Sequence, residues 1–144
     1  MGLHYYNYLV LVAPESSISF NGLKENINTF FARFPNHEML LEDLSNEYSQ
    51  RFEVTINGYK MYISLDQNPD VAIESAEQAE GYNLPILATC KSRFDIYADD
   101  DPDDVHYDEH LMIMERFSDY DGTWILDGYL GKVYGIGAER DFGY

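Results

Sequence analysis

Runs of aromatic, β-branched and alternating apolar residues predict short strands towards both ends of the chain. Residues 5–12 are rich in such side chains and stop before a proline, and residues 93–98 alternate between apolar and polar positions. Residues 123–126 and Lys132–Tyr134 predict two final strands. We expect Asp127-Gly128 to lie in the turn that joins these last two strands.

The clearest local pattern lies in residues 51–65. Asn57-Gly58 fits the two central positions of a type I′ turn, both of which require a positive φ. Pairing across this turn puts six apolar side chains on one face of a hairpin and four others on the opposite face. The six are Phe52, Val54, Ile56, Tyr59, Met61 and Ile63, and the four are Glu53, Thr55, Lys60 and Tyr62.

A first helix is predicted by five large apolar residues at helical spacing. We expect Asn21 to cap its N-terminus and Pro35 to close it. The breadth of the apolar stripe indicates packing against a core. Its residues are Leu23, Ile27, Phe30, Phe31 and Phe34.

Two further helices are predicted from their flanking residues. Asn68-Pro69-Asp70 begins a short helix that Gly81 ends near residue 80. A third helix begins at Asp103 or Asp104 and runs to about Phe117, with carboxylates at its positive end. Residues 111–114 are equally compatible with a strand, because so short an apolar run has no decisive period.

The order of these elements predicts the fold class. Strands and helices are interspersed and one strand pair is a tight hairpin, so we expect an α+β fold. Its sheet is mainly antiparallel, with about five to six strands and two to three helices packed on it. The 144 residues show no internal repeat and no linker, and they fit a single domain, 1–144.

Charge narrows the partners that this fold is expected to bind. The chain carries 26 acidic and 9 basic residues, a formal net charge of −17. Nucleic acid and anionic membranes are repelled by such a chain, whereas a basic partner protein is attracted. The first residues form no secretory signal and no apolar run has membrane-spanning length, so we expect a cytoplasmic protein.

The negative charge is concentrated in one stretch of the sequence. Between Asp95 and Asp127 there are twelve acidic residues and one basic residue, Arg116, with aromatic rings between them. A basic partner surface relieves the repulsion among these carboxylates, and the rings supply contact area. The expected partner-binding residues are Tyr97, Asp99, Asp100, Asp101, Asp103, Asp104, Tyr107, Asp108, Asp119, Tyr120 and Asp121.

Two metal-binding patterns occur in the same stretch. Three aspartates at alternate positions begin an EF-hand spacing, but Asp104 stands at the glycine position and His110 at the bidentate glutamate position, which argues against a calcium loop. The segment from His106 to His110 resembles the H-x-x-E-H motif of inverzincin metallopeptidases over five residues. That resemblance implies zinc held by two histidines, and a glutamate, Glu109, that activates water.

A zinc site and a reactive cysteine are both less well supported by the sequence than a protein-binding surface. The third, acidic ligand of that peptidase family comes from far downstream, and only 34 residues follow His110. If the imidazoles of His106 and His110 remain among these carboxylates in the folded chain, their environment favours the protonated form. The single cysteine, Cys90, excludes an intramolecular disulfide, and its apolar surroundings predict a buried, inert thiol.

We therefore predict a small acidic binding or inhibitor protein, with no cofactor and no catalytic residue, that occludes a basic surface of a partner protein. Its general character, though no motif, is similar to bacterial immunity proteins and to inhibitors that mimic nucleic acid. One alternative is a metal-dependent hydrolase that uses His106, Glu109 and His110. Another is a structural or accessory protein whose acidic stretch only keeps the chain hydrated.

Overall fold

The computed structural model describes residues 7–101, 103, 105–127 and 131–135. These residues form strands and helices in an interspersed order, which confirms the α+β class. The elements are β1 (Asn7–Val12), α1 (Phe20–Ala32), β2 (Met39–Asp43), β3 (Gln50–Ile56), β4 (Tyr59–Asp66), α2 (Asp70–Gly81), a 3-10 helix (Pro85–Thr89), β5 (Ser92–Ala98), α3 (Tyr107–Phe117), β6 (Thr123–Asp127) and β7 (Lys132–Tyr134).

The strands of the described residues form one sheet in the order β2-β3-β4-β5-β1-β6-β7, and all neighbouring strands are antiparallel. The sheet has seven strands, whereas about five to six were expected. The strand that was not predicted from the sequence is β2. Its apolar residues Met39, Leu40 and Leu41 are consecutive, so the sequence lacks the apolar–polar alternation of a half-buried strand. In the structure Met39 and Leu41 are half-buried and Leu40 is 67% exposed. Charged residues and a short length are usual in edge strands.

The predicted hairpin is confirmed in every paired residue. β3 and β4 pair in the expected register, and the six apolar side chains on one face are all buried. Asn57 has φ 51° and Gly58 has φ 83°, as a type I′ turn requires. Local turn chemistry and alternation thus suffice to predict the register of this hairpin.

Two of the three helices differ from expectation at their N-terminal ends: α1 begins earlier than predicted, and α3 begins at Tyr107 and not at Asp103 or Asp104. Ser19, not Asn21, caps α1, and its Oγ accepts a hydrogen bond from the Gly22 N–H at 3.0 Å. α1 begins earlier than predicted because Phe20 is buried in the core, and Phe34 lies beyond its end. The helical interpretation of residues 111–114 is confirmed, and the strand interpretation is wrong.

Helices cover the two faces of the sheet unequally. On the first face, α1 and α3 pack on the buried side chains of the hairpin and of β1 and β5. On the second face, α2 and the 3-10 helix contact β1, β6 and β7 through a smaller cluster. No second-face side chain of β2, β3, β4 or β5 is buried, and we call this region the open face. Its side chains are Leu40, Glu42, Arg51, Glu53, Thr55, Lys60, Tyr62, Ser64, Asp66, Arg93, Asp95 and Tyr97.

The I′ turn makes a prediction about stability. We expect Gly58→Ala to lower the free energy of unfolding by about 1–2 kcal/mol, because a side chain at this positive φ is strained. The alanine side chain would not clash with its surroundings, since no atom lies within 4 Å of a Cβ added at Gly58. Gly81→Ala is the control, because it also meets no atom within 4 Å and does not have a positive φ. Urea denaturation that shows equal effects for the two variants would contradict this turn.

Candidate partner-binding surface

The acidic stretch is divided between the two ends of α3. Asp99, Asp100 and Asp103 precede the helix, whereas Asp119 and Asp121 follow it. Eleven helical residues separate the two groups by about 16 Å, which exceeds the roughly 8–10 Å over which exposed charges interact at physiological salt. The two groups therefore act as separate patches. Asp104 lies outside the described residues.

Asp101 is a structural residue and does not face a partner. It is 2% exposed, and its two carboxylate oxygens accept hydrogen bonds from the N–H groups of Val105 at 3.0 Å and His106 at 2.9 Å. These bonds stabilise the turn that leads into α3. The expectation that Asp101 contributes to a contact surface is corrected by this burial.

Tyr59, the first residue of β4, lies beneath the acidic patch that precedes α3. Its hydroxyl donates a hydrogen bond to the backbone oxygen of Asp99 at 2.9 Å, and the His106 ring stacks on it at 4.4 Å between centroids. Burial raises the pKa of Tyr59, and Asp101, Asp99 and Asp100 raise it further. The segment before α3 therefore contacts a side chain of a distant element through the Asp99 backbone oxygen and the His106 ring, and no local pattern in the sequence predicts this contact.

Two of the three tyrosines expected at the contact surface point towards the core. Tyr107 and Tyr120 are half-buried and pack against the main cluster. The Tyr120 hydroxyl also donates a hydrogen bond to the backbone oxygen of Gly22 at 3.3 Å and accepts one from Asn26 at 3.2 Å. Tyr97 is 39% exposed, so it is the ring that remains accessible.

Tyr97 lies on the open face, where the sheet register adds residues that were not predicted. Directly paired positions across β2 to β5 form a row of Glu42, Glu53, Tyr62 and Tyr97. The two tyrosine rings stack with 5.2 Å between centroids and 22° between planes. Asp99 continues β5 and bonds through its N–H to the Lys60 oxygen at 3.0 Å, next to this row. We call Glu42, Glu53, Tyr62, Tyr97 and Asp99 the acidic aromatic face.

Electrostatics confirm that these groups are neighbours. The pKa of Tyr62 is raised by burial first and then by Asp99 and Glu53. The Lys60 ammonium lies 3.3 Å from Glu53 and is the nearby cation. The hairpin register already placed Glu53 and Tyr62 on one face, but their position beside Tyr97 depends on the pairing of β4 with β5.

His106, Glu109 and His110 are not arranged as a metal site. His106 Nδ1 lies 3.5 Å from Glu109 Oε1, whereas the His110 ring is fully buried and packs on Tyr8 at 4.6 Å. Burial lowers the pKa of His110 to about 3, which favours the neutral imidazole, because this ring lies in the core and not among the exposed carboxylates. Among the described residues, no three His, Cys, Asp or Glu side chains could hold a metal ion.

Cys90 has the expected character. Its side chain is buried in the smaller cluster, and burial raises the thiol pKa to about 11. The thiolate is therefore scarce at neutral pH, which disfavours a role as a nucleophile.

Comparison of the chain with models of known families, with curated proteins and with solved structures finds no match. Within the part of the chain that the structure describes, the helices are too short or too polar to cross a membrane.

The hydrogen bonds of Asp101 predict a contrast between neighbouring aspartates. Asp101→Asn replaces one acceptor oxygen with an amide that faces a backbone N–H, so we expect a loss of about 1–3 kcal/mol in the free energy of unfolding. Asp100→Asn changes the charge equally at an exposed position, and we expect a change within about 0.5 kcal/mol. Chemical denaturation checks both values. Equal stabilities would mean that Asp101 does not hold the turn before α3.

His110 predicts a loss of stability in mild acid. The folded protein disfavours the imidazolium, so the unfolded chain binds more protons as the pH falls below the ordinary value of 6.5 towards 3. Between pH 6.5 and 5, we expect the wild type to lose up to about 2 kcal/mol more than His110→Gln. Urea denaturation at several pH values in this range measures the difference, and parallel pH profiles of the two proteins would refute it.

Proposed function

We propose that this chain is a small binding protein that docks its acidic aromatic face on a basic surface of a partner protein and thereby occludes that surface. The proposal rests on one observation: an accessible pair of stacked tyrosines lies among carboxylates on a part of the sheet where no side chain is buried. Accessible aromatic rings are enriched among the side chains that contribute most to binding at protein interfaces. The mechanism is steric and electrostatic blockade, without bond chemistry.

The charge of the chain supports a basic partner. With a net charge of −17, the protein attracts cationic surfaces at long range and repels nucleic acid and anionic membranes. Carboxylates at the rim of the contact guide its orientation, and the rings provide buried area in its centre. A cytoplasmic location belongs to this proposal, since the free thiol of Cys90 suits a reducing compartment.

The neighbouring aspartates enlarge the proposed interface. Four strands about 4.8 Å apart and about seven residues long present roughly 300 Å² of projected area. A stable interface buries about 800 Å² on each partner, so the open face alone is too small. Asp100 directly follows Asp99, Asp103 lies three positions further along the chain, and both are exposed, so they extend the contact beyond the sheet.

The alternatives have less support. The hydrolase requires His110 at an accessible site, and this ring is buried against Tyr8. In the other alternative the chain is an accessory protein that has no specific acidic interface. The capture experiment described below distinguishes this alternative from our proposal.

We expect the double variant Asp99→Asn, Asp100→Asn to weaken capture of the partner by about ten-fold, because two rim charges contribute roughly 0.5–1 kcal/mol each. The immobilised wild type is exposed to a lysate of its own host at low and at high salt, and retained proteins are identified by mass spectrometry. A basic protein that is retained at low salt and released at high salt is the expected partner.

Two matched double variants serve as controls. Glu77→Gln, Glu80→Gln removes the same charge from exposed positions of α2, and Asp119→Asn, Asp121→Asn removes it from the second acidic patch. Both are expected to retain the partner. Equal capture by all three double variants would refute the acidic aromatic face as the interface and favour the accessory protein.

A further inference from the structure

The stacked rings of Tyr62 and Tyr97 form a platform that no other part of the described chain buries. The rings come from adjacent strands, stand 5.2 Å apart and are nearly parallel at 22°. Tyr97 is 39% exposed and Tyr62 is half-buried, so aromatic surface remains accessible to a partner. Such surface attracts cations through the negative faces of its rings.

The carboxylates around this platform are incompletely neutralised. Glu42 and Glu53 lie directly opposite each other on β2 and β3, and like charges in this position repel. Lys60 contacts Glu53, but among the ion pairs between described residues Glu42 has none. Asp99 lies on the other side of Lys60 and is exposed. The carboxylates of the acidic aromatic face can therefore accept a further positive group from a partner.

A guanidinium group matches this arrangement better than an ammonium group. It is planar, so it stacks on a tyrosine ring, and its five N–H donors reach two carboxylates at once. An ammonium group neutralises charge but has no planar surface for stacking. We propose that the acidic aromatic face binds an arginine of the basic partner, whose guanidinium stacks on the Tyr62–Tyr97 pair and hydrogen-bonds to Glu53 and Asp99. This inference rests on the proposed function and names the side chain that the interface recognises.

Charge complementarity identifies the occupant of this face. A second copy of the chain brings another net charge of −17 and is repelled, as is nucleic acid. The open face itself has three basic residues, Arg51, Lys60 and Arg93, and of these Lys60 contacts Glu53 and competes for it. An arginine-bearing segment of a basic protein displaces this lysine and adds ring contacts that the lysine does not make.

The test uses two fluorescent peptides of nine residues that differ only in three arginines or three lysines at the same positions. We expect wild-type protein to bind the arginine peptide roughly two- to five-fold more tightly in an anisotropy titration at low salt. Tyr97→Leu and Tyr62→Leu are expected to abolish this preference while weak binding of both peptides persists. Tyr48→Leu is the matched control, because Tyr48 is 89% exposed and lies in the loop between β2 and β3.

A gain-of-affinity variant completes the test. Lys60→Gln removes the competing cation and is expected to strengthen binding of both peptides about three-fold. Equal affinity of the two peptides for wild type, or a preference that survives in both tyrosine variants, overturns the arginine site. So does a dimer of the wild type in sedimentation that Tyr97→Leu dissociates.

The outcomes separate this inference from the proposed function. Suppose that the Asp99, Asp100 double variant loses the partner while wild-type protein binds the arginine and lysine peptides with equal affinity. The acidic interface is then supported and the arginine site is refuted. If that double variant retains the partner as wild-type protein does, the proposed function is refuted, whichever peptide binds more tightly.

Discussion

The structure depends on unequal helical cover of one antiparallel sheet. Side chains alternate along each strand, so whatever packs on a face decides which residues of a strand belong to the core. α1 and α3 cover the first face, whereas on the second face α2 and the 3-10 helix pack on β1, β6 and β7, and α2 reaches β5 through the ion pair of Glu74 with Arg93. β1 lies where both layers overlap, and it contributes Val10 to one cluster and Leu11 to the other.

The same constraint explains the composition of the hairpin. Its first face packs under α1 and is apolar throughout, and its second face has no buried side chain and carries Glu53, Lys60 and Tyr62. An antiparallel sheet tolerates this arrangement, since one of its faces commonly meets water. The polar side of the hairpin is therefore free to provide a surface, and the stacked tyrosines lie there.

Acidic residues that lie close together in the sequence have different roles in the folded chain. Asp101 is buried and supports the turn before α3, whereas Asp99 and Asp100 are exposed beside the sheet. Asp119 belongs to the far end of α3, where it contacts Arg116 and Asn26. The surface that we propose as an interface thus combines one of these patches with residues of the hairpin, and it does not coincide with the acidic stretch.

By itself the sequence determined the features that arise from neighbouring residues. The I′ turn at Asn57-Gly58 sets the hairpin register through backbone geometry, and the apolar spacing of α1 sets the face that it buries. The positions of individual helix ends were less well predicted, because Phe20 extends α1 back to Ser19 through a tertiary contact.

Tertiary structure alone decided where the charges and rings lie. Tyr62 and Tyr97 are separated by 35 positions, and they stack because β4 pairs with β5 in one particular register. Asp101 and Asp100 are adjacent and chemically identical, yet one is buried and the other exposed. No local pattern distinguishes them, because burial depends on which distant elements pack above each side chain.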